Sequence, residues 1–436
     1  MALAEVILWG KTIGAVSDDG GDVKFSYNPD FIRSGIELAP LALPLNNTVY
    51  SFPELRDERP YYGLPGMLAD SLPDKYGEYM IAEYLRRFGN GRLSLSPVEK
   101  LCYAGTRGMG ALEYKPSFVE PGKCENIGLD ELTVLAEGIL AKRRGLKTTE
   151  DDIYSVEDEE ELKHLLQVSS SAGGSRAKAL IAWNEETGEI RSGQLNAGPG
   201  FGYWLIKLDR ISNNYDKEDK PDDADSTRVE YAYYLMAREA GIDMAESKLL
   251  EKGKCAHFVT RRFDRYGEGK KLHMISLCGM SHMNFKDSRI YDYYQVADIV
   301  DRVGLGKGAI EKIFTRMVFN DMTFNFDDHV KNTSFLMNQK GEWSLSPAYD
   351  MTYAYDKDGK FTYAHQMLIN GKSFGITPED YMASGKKMGL TEEKMRCIIS
   401  QVGHAVRKFE SFAEMSGVPE EKMKHIKELI DSKKYI

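Results

Sequence analysis

Cysteine is scarce in this sequence and shows no pairing. Its 436 residues hold five, Cys102, Cys124, Cys255, Cys278 and Cys397, an odd number without a CxxC pair. That spacing argues against both a disulfide framework and a zinc site built on paired thiolates. Long apolar runs are missing too, since no stretch approaches the roughly 18 residues of a membrane span. The N-terminal MALAEVILWGKTIG has no basic residues ahead of its apolar part, so it reads as the start of a hairpin and not as a signal peptide. A reducing cytoplasm is the simplest compartment. Positive charge is in deficit, with 57 Lys and Arg against 67 Asp and Glu and a net charge of −10. Nucleic-acid binding by the whole surface is thereby disfavoured, although a local basic patch or a DNA-binding partner is not. No internal period points to a solenoid or propeller. The GxxxxGK[ST], HExxH and GxSxG patterns do not occur, which removes P-loop, zincin and hydrolase-elbow chemistries.

What is present is enough apolar material for a sizeable core, 42% hydrophobic and 11% aromatic, and a length that suggests two or three folding units. Short alternating strands are expected in EVILW–GK–TIGAV and ALEYKPSF. A helix is expected from Asp74, where Tyr76, Met80, Ile81 and Tyr84 have helical spacing and Gly89 offers a stop. The charged stretch AKRRGLKTTEDDIYSVEDEEELKH reads as solvated surface. Ala179 to Trp183 and FGYWLIKLDR read as strands, and RISNNYDKEDKPDDADST as a polar loop. Ser226 and Thr227 open a helix that ends at Gly241, and KCAHFVTRRFDRYG alternates like a strand. Beyond Asp264 helices dominate. The clearest places Met395, Ile398, Ile399, Val402, Val406 and Phe409 on one face. The order predicts an α+β, two-lobed chain with segments 1–120, 121–263 and 264–436.

Several stretches carry candidate chemistry. SSSAGGSRAK, Ser169 to Lys178, has the small residues that let backbone N–H groups approach an anion; a plain surface turn accounts for it equally. GTRGMG and GPGFG have the wrong spacing for a dinucleotide fingerprint and read as turns. Lys207, in YWLIKLDR, either reaches water or pairs with an anion. Glu230, read as lying in the first turn of its helix, is ordinarily explained by the helix dipole. The densest stretch is FNFDDHVKN, Phe324 to Asn332, followed by Asp350 in LSPAYDMT. It is no EF-hand, because glycine and glutamate are missing at the sixth and twelfth positions from Asp327. Phosphoryl transfer does want such parts in such an order: a phosphate loop, a strand lysine paired with a helix glutamate, a base, an Asn five residues later and a metal-binding Asp. Asp327 is then the candidate base, Asn332 and Asp350 the metal ligands, and Lys331 a charge for the transferred group. Asp328 and His329 either hold the loop or take part.

GLPGMLADSLPDKYG, SAGGSRAK, LIKL, TRRFDR, HMISLC, NFDDHVKN and WSLSPAYDMT together give the chain an almost end-to-end resemblance to the HipA family. Its members are serine/threonine kinase toxins of bacterial toxin–antitoxin systems. The resemblance implies a kinase-like fold with an added N-terminal subdomain at 1–120, an N-lobe core at 121–263 and a helical C-lobe at 264–436. By position it makes Ala172, Gly173, Gly174, Ser175, Arg176, Ala177 and Lys178 the phosphate loop, Lys207 the ATP lysine supported by Glu230, and Arg261, Arg262 and Phe263 the hinge. It places His329, Asn332, Tyr349 and Asp350 at the nucleotide and Mg2+, with Asp327 and Lys331 catalytic. The loop 211–227 corresponds to an activation loop. The family also carries a phosphorylated serine, which counting back from Gly174 and Lys178 places at Ser171, with Ser169 and Ser170 as alternatives. Implied partners are a protein substrate with a Ser or Thr hydroxyl and a small helix-turn-helix antitoxin of HipB type, with DNA contacted only through it. A small-molecule or lipid-headgroup kinase, or a non-catalytic corepressor, are the other readings.

Overall fold

In the computed structural model the first alternating segment closes as expected. β1 (Ala2–Leu8) returns as β2 (Lys11–Asp19) through a two-residue turn. Trp9 and Gly10 both have positive φ, 49° and 78°, the backbone that matches the twist of a tight hairpin. β3 (Asp22–Tyr27) and β4 (Val49–Ser51) extend the sheet on one side and β5 (Leu112–Lys115) on the other, in the order β4-β3-β2-β1-β5. The helix Pro97–Ala104 carries a Ser96/Glu99 capping box and packs against β1, β2 and β5. The structure describes residues 1–88, 94–118, 128–129, 133, 177–211 and 224–433. The charged stretch after residue 140, Ser169 to Arg176 and most of the loop 211–227 lie outside the described residues.

The chain divides into two compact units. One comprises Met1–Asp223, Val259–Ile275 and Met337–Gly341, and the other Ala224–Phe258, Ser276–Leu336 and Glu342–Ile436. The first holds, besides the N-terminal sheet, the antiparallel strands β6 (Lys178–Trp183), β7 (Ile190–Ser192) and β8 (Gly202–Lys207). As the alternation predicts, Trp204 and Ile206 are fully buried on one face of β8.

Two buried ionic contacts knit this unit. Asp264 accepts from Arg262 Nε and Nη2, at 2.9 and 2.7 Å, from Arg265 Nη1 at 2.6 Å, and from the Gly110 N–H at 2.7 Å. Burial pushes the Asp264 carboxyl up, but the two arginines outweigh it and hold the group well below the usual carboxylate range. Gly110 must be glycine here. Its φ is +75°, and a Cβ would lie 2.9 Å from the Met274 nitrogen. GTRGMG is therefore a turn, as read, but one shaped to meet the aspartate of TRRFDR. In the second contact Lys178 pairs with Asp74 of DSLPD at 3.3 Å, with side-chain exposures of only 5% and 3%.

The second unit is mainly helical. The helix Ser226–Glu239 packs its fully buried Tyr233 beside Phe319 and Phe409, with ring centroids 6.3 and 6.0 Å away, and the Tyr233 hydroxyl donates to the Thr323 carbonyl at 2.6 Å. Glu230 stands beyond the first turn of that helix, so the dipole does not explain it. The amphipathic run near the C-terminus forms two helices, Glu392–Val406 and Phe409–Met415, with Met395, Ile398, Val402, Val406 and Phe409 buried. Among the described residues no helix is long and apolar enough to cross a membrane.

Candidate active site

The helix Gly306–Met322 delivers the chain to the site. Its second half is buried on every face, and besides Phe314, Met317 and Phe319 it sinks Arg316, Asn320 and Asp321. At Phe324 φ turns to +56°, and Asp350 sits at +57°. A non-glycine residue in this region costs of order 1–3 kcal/mol and persists where its surroundings over-determine it. Here two backbone hydrogen bonds do so, Phe326 N–H to the Ala354 carbonyl at 3.2 Å and Ala354 N–H to the Phe324 carbonyl at 3.0 Å. The buried Phe326 ring packs against Phe324, Tyr355 and His365.

From that apolar anchor Asp327 and Asp328 part ways. Asp327 keeps 23% side-chain exposure and has His329 Nε2 3.8 Å away, while the Asp328 side chain is wholly buried. Asp328 accepts from the Tyr293 hydroxyl at 2.9 Å and from the Gln366 N–H at 2.8 Å. The loop then closes in a short 3-10 turn, Val330–Asn332, and the Asn332 side-chain nitrogen donates to the Asp327 carbonyl at 2.8 Å. The five-residue spacing thus has a local cause: it lets the amide fold back on the peptide of the candidate base.

Tyr349 ties the next segment to the loop. Its hydroxyl donates to the Lys331 carbonyl at 2.7 Å and lies 2.5 Å from Ser334 Oγ. Between them runs the hairpin of Ser334–Met337 and Trp343–Leu345. Arg316 holds the far side through the Ser346 carbonyl at 2.6 Å, and burial pushes its guanidinium down to about 10. Arg316, Asp328, His329, Asn332, Tyr349 and Asp350 line one cavity. Outside it, the Lys331 ammonium stands 5.3 Å from the Phe285 ring, which also meets the His329 ring at 5.4 Å and Lys286 at 4.7 Å.

The second unit therefore gathers Asp327, Asp328, His329, Lys331, Asn332, Tyr349 and Asp350 around one loop. Lys178, Lys207 and Arg261 to Phe263 belong to the first unit, and Glu230 to the second. Ser171 and Ala172 to Arg176 fall outside the described residues. Two expected ligand contacts are engaged elsewhere. Lys178 lies in the buried pair with Asp74, because an ammonium taken out of water needs a counter-charge. Arg262 turns its guanidinium onto Asp264 and donates its backbone N–H to the Tyr203 carbonyl at 2.8 Å. Tyr349 serves the loop through its hydroxyl. Sequence reasoning missed Tyr293, Asp321 and His365, which carry no motif; only Asp321 had a signal, as a polar residue inside the apolar run MVFNDMTFNF.

A magnesium ion fits the donors present. Asn332 and Asp350 offer hard oxygens, and Mg2+ is ordinarily held by one or two such groups together with substrate phosphates and water. No cluster of three or more His, Cys, Asp or Glu side chains placed for a metal occurs among the described residues, and such a site needs none.

Comparison with known proteins bears on the family and the fold. A family model described as the HipA N-terminal domain matches residues 4–115, and one described as the HipA-like C-terminal domain matches residues 170–426. HipA of Shewanella oneidensis, solved with HipB and its operator DNA, superposes with a TM-score of 0.67 at 17% identity, covering 99% of this chain and 96% of that one. A Haemophilus influenzae protein named "Putative kinase" is 28% identical over 134 residues, 28% of this chain and 39% of that protein, so the match spans well under half of the relative. With its α+β fold and both domain matches, the chain belongs to the HipA family.

Proposed function

We propose that this protein is an ATP- and Mg2+-dependent protein serine/threonine kinase that acts as the toxin of a toxin–antitoxin pair. The observation that carries the reading is the loop Asp327–Asn332, in which the Asn332 side-chain nitrogen holds the backbone carbonyl of Asp327 while the Asp327 carboxylate stays partly exposed. Asp327 would orient the acceptor hydroxyl and take its proton. Asn332 and Asp350 would hold the metal, and Lys331 would balance charge building on the transferred group. Mg2+, when bound, supplies charge neutralisation across the phosphates. Lys207 and the phosphate loop 172–178 are assigned to ATP by the family resemblance, as is autophosphorylation at Ser171. The Shewanella relative was solved with HipB and operator DNA, which supports a small DNA-binding antitoxin as partner here. The test is incubation of purified protein with labelled ATP and Mg2+. Label on a serine of the chain itself, lost in Asp327→Asn while Mg-ATP binding persists, is expected. Undiminished labelling in that variant removes Asp327 as base, and label passing only to a free alcohol redirects the reading to a small-molecule kinase.

A further inference from the structure

His365 belongs to no motif, yet it joins two charged groups under the catalytic loop. The ring is fully buried, with Nδ1 2.8 Å from Asp328 Oδ2 and Nε2 3.1 Å from Asp321 Oδ1; both carboxylates are buried as well. A neutral imidazole has one N–H, so its second nitrogen would turn a lone pair onto a carboxylate oxygen. Only the doubly protonated ring donates at both ends.

The surroundings fit that state. Lys433, just past the helix Glu420–Ser432, reaches Asp321 Oδ1 at 2.6 Å, and the Tyr381 hydroxyl, from the helix Pro378–Lys387, donates to Asp321 Oδ2. The Tyr293 hydroxyl and the Gln366 N–H complete Asp328, and the Phe326 ring packs on the imidazole with centroids 4.2 Å apart. Two carboxylates thus meet one imidazolium and one ammonium. Burial alone would lower the basicity of the ring; the Asp328 charge and the hydrogen bonds to both aspartates reverse this and push it up to about 9.

Asp328 is the immediate neighbour of Asp327, so whatever immobilises one side chain inward fixes the peptide from which the other projects outward. We propose that His365 is a positioning residue for Asp327, bridging Asp321 and Asp328 as an imidazolium so that the helix Gly306–Met322, the catalytic loop and the residues 365–366 move as one body. The proposal rests on Asp327 being the base.

The first test is nitrogen NMR on the full chain near neutral pH. A doubly protonated imidazole missing from His365→Gln is expected, and a singly protonated ring overturns the bridge. In phosphotransfer assays, His365→Gln should lower kcat about tenfold or more while KM for ATP and the thermal shift with Mg-ATP stay near wild type. An unchanged kcat overturns the proposal, as does a loss of ATP binding that accounts for the whole effect. Should that variant fail to fold, Lys433→Met keeps both ring hydrogen bonds and removes a neighbouring positive charge. The alkaline fall in kcat should then move to higher pH, and an unmoved fall counts against the proposal. A wild type with a doubly protonated ring that transfers no phosphoryl group overturns the kinase reading and leaves the bridge standing.

Discussion

At Asp264 one carboxylate answers two guanidinium groups and a backbone N–H inside the first unit. Removing one partner of a buried ion pair leaves the others uncompensated, which costs about 3–5 kcal/mol. Asp264→Asn should therefore lower the unfolding free energy measured by chemical denaturation by that amount, and a stability within experimental error of wild type would show the cluster to be ornamental. Asp350 makes a different prediction. Wild-type protein should gain about 2.7 kcal/mol from Mg-ATP at a hundred times its Kd. Asp350→Asn keeps the shape but weakens the oxygen donor, so most of that gain should vanish from thermal melts while the ligand-free protein melts near wild type. An equal gain in the variant would exclude Asp350 as a metal ligand.

At the scale of elements, the loop Asp327–Asn332 is held at its ends. Tyr349 clamps the Lys331 carbonyl from the following segment, and Asn332 clamps Asp327 from within. Tyr349→Phe removes the hydroxyl that bonds both the Lys331 carbonyl and Ser334 Oγ, at about 1 kcal/mol per hydrogen bond; kcat should fall further than that loss of stability suggests, because the loop carries Asp327, Lys331 and Asn332 together. Parallel losses of kcat and stability in a mild-denaturant titration would show a purely structural role. The loop itself was legible in the sequence, since its spacing is local: five residues bring Asn332 back to Asp327. The strands were legible for the same reason, period-two alternation in β1, β2 and β8. The support beneath the loop was not. Asp321 and His365 are 44 residues apart and meet only through tertiary packing, and nothing local marks His365 as charged. The helix opens at Ser226 as the sequence indicates, and Glu230 is its fifth residue, just past the first turn.

At the scale of the whole molecule, two buried histidines titrate in opposite senses. His273 donates to the Leu38 carbonyl at 3.0 Å, and burial pushes it down to about 4 from 6.5. Between those values the unfolded chain binds a proton that the folded chain refuses, so stability falls as pH drops from 6.5 to about 4. His365, raised to about 9, contributes stability that is full below 6.5 and lost as pH rises through about 9. Stability should peak near neutral pH, with an acid limb flattened by His273→Gln and an alkaline limb flattened by His365→Gln; denaturant midpoints indifferent to pH from 5 to 9 would contradict both assignments. The pair between Asp74 and Lys178 bears on how this protein can be cut. The two family matches meet in sequence between residues 115 and 170, an inviting place to divide a gene. Yet Asp74 and Gly110 come from one match while Lys178 and Asp264 come from the other, and both contacts are internal to a single compact unit. A clone beginning at residue 170 would lose Asp74 from beside the Lys178 ammonium and the Gly110 N–H from Asp264, so it should express as inclusion bodies, and co-expression of residues 1–118 as a separate chain should return it to the supernatant.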